Sequence, residues 1–216
     1  MKYFIVIGLG TFGQNTAIEL ENLGHQVLII DRDEKRVNAI KELVTESIIA
    51  DATDKKVLSE FVNKNVDAVI LNMGDNLEAN ALTTLNLISI GVKRIIIKAK
   101  NDAFGKILTA IGATDIIYSE REGAKRLAQK LHTPNLIEHI PLSPEYEIVE
   151  LAMPDKFIGK TLDELKIRNK YKVVVIAVKD ILSNEFHLIP GADFEFCQNS
   201  AMIIIGKTSD IDWLSF

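Results

Sequence analysis

The chain has 216 residues, with 25 Lys+Arg against 30 Asp+Glu and a formal charge of −5 when histidine is neutral. At 47% hydrophobic and 25% charged residues, the composition is that of one large or two small globular domains and excludes disorder and collagen-like repeats. The negative balance removes the diffuse attraction to phosphate backbones that a basic protein has, so no nucleic acid is expected as a partner.

The chain opens on MKYFIVIGLG, whose short apolar run ends in glycines, a poor secretory signal and a good first strand over residues 3–7. Gly8-Leu9-Gly10-Thr11-Phe12-Gly13 follows as G-x-G-x-x-G at the opening of the first helix. The first glycine allows a tight turn, the second lets backbone approach a pyrophosphate, and the third lets helix pack on strand. The helix start supplies amides to the anion. A second run, 26–30, ends at Asp31, 18 residues past Gly13. An acid there accepts from both ribose hydroxyls and repels a 2′-phosphate, which favours NAD, ADP or ATP over NADP. Arg32 runs against that preference: it is a candidate to stack on adenine or to meet a 2′-phosphate, or else a solvated loop residue.

The third run, 46–50, closes on Asp51-Ala52-Thr53, which puts Asp51 at the same strand edge as Asp31. Its carboxylate can accept from the adenine N6 amine or cap the next helix, a role open to Thr53 or Asp54 as well. The fourth run, 68–71, leads into Met73-Gly74-Asp75, then into a helix over 75–90 with Leu77, Ala81, Leu85 and Ile88 on one face and Gly91 as its stop. The fifth, 94–98, carries Lys98-Ala99-Lys100, where Lys98 can neutralise phosphate charge. The sixth, 115–118, is followed by Glu120, a candidate ligand for a divalent cation beside a phosphate or an ordinary helix-start acid. Strands alternating with amphipathic helices predict a Rossmann-like, doubly wound parallel sheet.

A helix over 119–131, opened by a capping-box pattern at Ser119 and Glu122, is expected to finish the first domain, 1–132. Residues 133–144 contain Pro134, Pro141 and Pro144 and read as a linker. A small α+β domain over 145–216 is then expected, with strands at 145–151, 172–179, 185–188 and 201–206 and short helices near 162–165 and 210–214. Cys197 is the only cysteine, which excludes an internal disulfide and a cysteine-clustered zinc site and fits a reducing compartment. No apolar stretch approaches the roughly 18 residues that span a bilayer.

Catalytic machinery is not evident. His25, His132, His139 and His187 lie in no metal-binding spacing, no tyrosine is followed by lysine at the fourth position, and no G-x-S-x-G or Walker A loop occurs. The glycine loop looks built to hold a nucleotide, not to transform it.

These motifs in this order resemble the RCK (also called KTN) family, the cytosolic TrkA/KtrA-like regulators of potassium transport. The resemblance rests on residues 7–13, on Gly24-His25-x-Val27-x-x-Ile30-Asp31, Asp51-Ala52-Thr53, Asn80-x-x-x-Thr84 and Ile111-Gly112-Ala113, and later on Ile148-Val149-Glu150-Leu151 and Gly159-Lys160-Thr161-Leu162. It implies nucleotide contacts at Gly8 to Gly13, Asp31, Arg32, Asp33, Asp51, Ala52, Met73, Gly74, Asp75, Lys98, Ala99, Lys100 and Glu120. It also implies a non-enzymatic regulatory subunit peripheral to the inner face of the cell membrane, forming dimers that assemble into an octameric ring on a potassium-translocating membrane subunit. The expected ligand is an adenine nucleotide (NAD/NADH, ADP or ATP), with a divalent cation as a candidate companion. KtrA-like members commonly have arginine where this chain has Thr11, which leaves ADP or NAD(H) more open than ATP. Some members bind a cyclic dinucleotide at paired C-terminal domains, where Arg168 and Asn169 would fall. The competing reading is a small NAD-dependent oxidoreductase.

Overall fold

The computed structural model describes residues 1–133 and 135–212, which fall into two compact units, Met1–Glu122 and Gly123–Phe216. In the first, β1 (Tyr3–Ile7), β2 (Gln26–Asp31), β3 (Glu46–Ile49), β4 (Ala68–Leu71), β5 (Ile95–Lys98) and β6 (Asp115–Ile117) form a parallel sheet in the order β3-β2-β1-β4-β5-β6. The helices between them are α1 (Thr11–Asn22), α2 (Glu34–Ile40), α3 (Lys55–Phe61), α4 (Leu77–Ile90) and α5 (Asp102–Ile111), and α6 (Ser119–His132) follows β6. The apolar runs become strands because both faces are covered. Ile5, Ile7, Leu28, Ile30, Val69 and Leu71 pack into one core, and the alternate residues Val6, Val27, Ile29 and Ile70 pack into another. Strand order reverses between β1 and β4, and this opens a crevice beyond the carboxyl ends of the strands.

The orientation of α4 departs from its sequence pattern. Asn76 caps it by accepting from the Ala79 amide, so the helix begins at Leu77 and not at Asp75. Leu77 and Ala81 touch the core, but Leu85 is 52% and Ile88 41% exposed, whereas Asn80, Thr83 and Thr84 are fully buried. The inner face meets loop carbonyls, which polar side chains satisfy and leucines cannot.

The capping box expected at Ser119 does not form. The Glu122 amide donates to the Tyr118 carbonyl at 3.0 Å, and the Ser119 hydroxyl donates to the Glu120 carboxylate at 3.0 Å, because the serine already lies in the helix's first turn. Residues 136–141, expected as linker, form β7 (Leu136–Pro141), antiparallel to β8 (Tyr146–Ala152). Pro141 sits at the last position of an edge strand, where a missing amide is tolerated, and Pro144 lies in the bend between the two strands. Pro134 lies outside the described residues.

The second unit is a five-stranded antiparallel sheet in the order β10-β9-β11-β8-β7, with β9 (Val174–Asp180), β10 (Phe186–Leu188) and β11 (Ser200–Lys207). Val149, Leu151, Val178, Met202 and Ile204 pack from one sheet face against Phe157, Phe196 and Ile167. A capping box does occur here, between Thr161 and Glu164 at the start of α7 (Leu162–Leu165). α8 (Ile167–Tyr171) follows, and α9 (Thr208–Asp212) covers the start of the helix expected over 210–214, whose residues 213–214 lie outside the described residues. Among the described residues no helix is long and apolar enough to cross a membrane.

Candidate functional site

The glycine loop is shaped by steric exclusion. Gly8 has φ +91°, and a Cβ there would collide with the Asn72 carbonyl, while one at Gly13 would collide with the Gly8 carbonyl. Gly8 donates to the Ile30 carbonyl at 2.9 Å, tying the turn to the end of β2. Gly10 caps α1 with no side-chain acceptor, so the first-turn amides, which no intrahelical carbonyl reaches, border open space.

That space is a cavity of about 760 Å³ along the strand ends, within the usual range for ligand sites. Its wall includes Gly8, Gly10, Thr11, Phe12, Asp31, Arg32, Asp51, Ala52, Met73, Gly74, Lys98 and Glu120. The Leu9 amide donates to Asp31 Oδ2 at 2.5 Å and the Asp33 amide to Oδ1 at 2.8 Å. One bond to each oxygen fixes the carboxylate and leaves lone pairs for two hydroxyls. Asp51 accepts from the Thr53 amide at 2.9 Å and the Thr53 hydroxyl at 2.7 Å. Those two bonds, with a smaller contribution from Arg32, hold its carboxyl below the usual carboxylate range. The cap of α3 falls to Asp54, which accepts from the Lys56 amide, so Asp51 is not consumed by capping. Lys98 Nζ and Glu120 Oε1 form an ion pair at 2.5 Å, and the ammonium lowers the Glu120 carboxyl.

The other sequence candidates lie off the cavity wall. The Leu9 side chain and Ala99 are buried in the cores, and Gly13 packs beneath Gly8. Asp33 caps α2 and pairs with Arg36 at 3.4 Å, while Lys100 pairs with Asp75 at 3.6 Å and lies over the Phe104 ring. Glu120 is a lone carboxylate for a metal: among the described residues no cluster of three His, Cys, Asp or Glu side chains could hold one. A cation there would need phosphate oxygens and water as further ligands. Arg168 and Asn169 are exposed on α8.

The sequence reading passed over Asn72, Arg36 and Asn76, all of which line the cavity. Asn72 is almost fully buried; its amide donates to the Ile7 carbonyl at 2.7 Å and its Nδ2 to the Gly8 carbonyl at 3.3 Å. A Cβ at Gly10 would sit 3.0 Å from that Nδ2. Its one signal is position, as the first polar residue after β4.

The TrkA-N domain family model matches residues 4–119 and the TrkA-C domain model matches residues 146–214. The chain is 38% identical over 210 residues to Ktr system potassium uptake protein C of Bacillus subtilis (strain 168), covering 97% of this chain and 94% of that one. It is 36% identical to Ktr system potassium uptake protein A of the same organism, with the same coverage of 97% and 94%. In fold it is similar to the GsuK channel, with a TM-score of 0.68 at 20% identity, covering 100% of this chain and 39% of that one. The GsuK channel bound to NAD gives a TM-score of 0.65 at 20% identity, covering 97% and 38%. The chain therefore spans less than half the length of these channel chains. A TrkA-N domain followed by a TrkA-C domain, together with whole-length identity to two Ktr proteins, places the chain in the RCK (KTN) family.

Proposed function

We propose that the chain is the nucleotide-sensing regulatory subunit of a potassium uptake system and gates a membrane potassium-translocating subunit from its cytoplasmic face. The observation that carries the reading is Asp31, locked by the Leu9 and Asp33 amides at the wall of a cavity that also holds the glycine loop. In this reading the ribose bonds Asp31, the base lies toward Asp51 and Arg32, and the phosphates meet the first turn of α1 and Lys98. NAD(H), ADP and ATP share that chemistry, and the GsuK channel of similar fold is known bound to NAD. A divalent cation bound with the phosphates would take Glu120 as a ligand. The Ktr names of the relatives support the potassium-uptake context.

Gating follows from differential affinity: a nucleotide shifts a conformational equilibrium only by the difference in its binding to the two states. A tenfold difference is about 1.4 kcal/mol per site, so coupled sites in a ring act as a switch without turnover. The outward face of α4 and the adjacent α5 leave Leu85, Ile88 and Ile107 exposed, which supports association between copies; the dimers assembling into an octameric ring are part of the same proposal. Small-angle scattering of the full chain with ADP, ATP, NAD or NADH, with and without Mg²⁺, tests the reading. A ring whose dimensions change between nucleotides is expected, and a ligand-insensitive monomer would overturn it. A small NAD-dependent oxidoreductase would instead reduce the cofactor with some substrate, which is not expected in a substrate panel.

A further inference from the structure

Two side chains on the buried polar face of α4 are both bonded to a single loop of the cavity. Thr83 Oγ1 donates to the Ala52 carbonyl at 3.3 Å, and Asn86 Nδ2 donates to the Thr53 carbonyl at 3.1 Å. Thr83 is fully buried and Asn86 nearly so, and neither lines the cavity. Core-facing positions of a surface helix are ordinarily apolar, and burying a hydroxyl or carboxamide is favourable only when it is bonded. Both side chains spend their hydrogen bonds on one short loop, the loop that carries Asp51. Within it Thr53, through its amide and hydroxyl, holds the Asp51 carboxylate. A hydrogen-bonded path thus runs from Thr83 through the Ala52–Thr53 peptide to the Asp51 carboxylate on the cavity wall. Asn86 anchors the next peptide, whose Asp54 amide donates to the Asp51 backbone carbonyl at 3.2 Å.

We propose that Thr83 and Asn86 are positioning residues that set the base selectivity of the site, a role that rests on the adenine-nucleotide reading of the cavity. With the loop anchored, Asp51 is fixed to accept a hydrogen bond from an exocyclic amine at the 6-position. A 6-oxo base such as hypoxanthine instead presents an oxygen to that carboxylate and is disfavoured. Released from α4, the loop lets the carboxylate turn away, and the two bases bind alike. ADP then loses only the contribution of the base contact and IDP loses nothing, because the ribose and phosphate contacts lie on other elements.

Calorimetric titration of the full chain with ADP and with IDP tests this. The wild type is expected to prefer ADP by about tenfold, the order of one charge-assisted hydrogen bond. Thr83→Val keeps shape and removes the donor; it is expected to bring the ADP:IDP ratio to within about twofold of unity while leaving IDP affinity unchanged. Thr83→Ser restores the hydroxyl and is expected to restore the preference. Asn86→Leu is expected to act like Thr83→Val. An unchanged ratio in Thr83→Val, or equal weakening of both nucleotides together with a lowered melting temperature of the ligand-free protein, overturns the positioning role. A wild type that binds ADP and IDP equally overturns it at its root, by removing the base contact at Asp51. A wild type that binds neither overturns the nucleotide reading itself.

Discussion

Asp51 and Glu120 are both carboxylates at strand ends, yet their surroundings assign them different tasks. Asp51 is held by Thr53, so its folded pKa lies below the ordinary value. A group depressed on folding contributes stability at pH above its unfolded pKa and loses that contribution as pH falls through the folded one. The ionised acceptor therefore persists across the neutral and mildly acidic range. The ADP:IDP affinity ratio measured by calorimetry, in which the shared phosphate ionisation cancels, is expected to stay flat from about pH 8 to pH 5 and to decline only below about pH 4, where ordinary carboxylates protonate. Selectivity that titrates near pH 6 would point to a histidine instead. Glu120 is more exposed and spends its charge on Lys98. Glu120→Gln frees that ammonium for phosphate, so ADP without divalent ions is expected to bind roughly two- to fivefold tighter, the scale of a surface ion pair. The variant is also expected to lose any Mg²⁺-dependent gain.

At the scale of the element, the glycine loop and β4 form one interlocked unit, because Asn72 reaches back to bond Gly8 and fills the space beside Gly10 and Gly13. Gly13→Ala drives a methyl into the Gly8 carbonyl, and overpacking of this kind costs about 1–3 kcal/mol. A melting point lower by several degrees and loss of nucleotide binding are expected in thermal denaturation. The strands and this loop are legible in the sequence because strands covered on both faces read as unbroken apolar runs and because only glycine fits the turn. Asn72 is not legible, since a single polar residue after a strand looks like any loop. Nor is the orientation of α4: its leucines suggest an inward stripe, whereas its partners inside are the carbonyls of Gly74, Ala52 and Thr53, which call for Asn80, Thr83 and Asn86. The strand β7 is hidden by neighbouring prolines that an edge position tolerates. The pairing of Lys98 with Glu120 joins two strand ends that only the sheet order brings together.

For the whole molecule, the exposed apolar side chains of α4 have a consequence for assembly. Leu85 and Ile88 lie on the outer face, 52% and 41% exposed, and burying the remaining surface between copies stabilises an interface by about 1 kcal/mol each, roughly half the full-burial value. Leu85→Lys combined with Ile88→Lys is expected to reduce the proposed ring to smaller species in scattering, with little change in the melting point of each unit because neither residue belongs to a core. An intact ring in the double variant would place the interface elsewhere. Such a ring can act as a switch only if each copy holds its ligand, which returns the question to Asp31.

Calorimetric titration of ADP into the wild-type chain and into Asp31→Ala is the most direct measurement. Saturable binding to the wild type, weakened at least about tenfold in the variant by loss of the ribose hydrogen bonds, is the expected result. Equal binding to both proteins, or no heat from either, would contradict a nucleotide held at the rim of the parallel sheet.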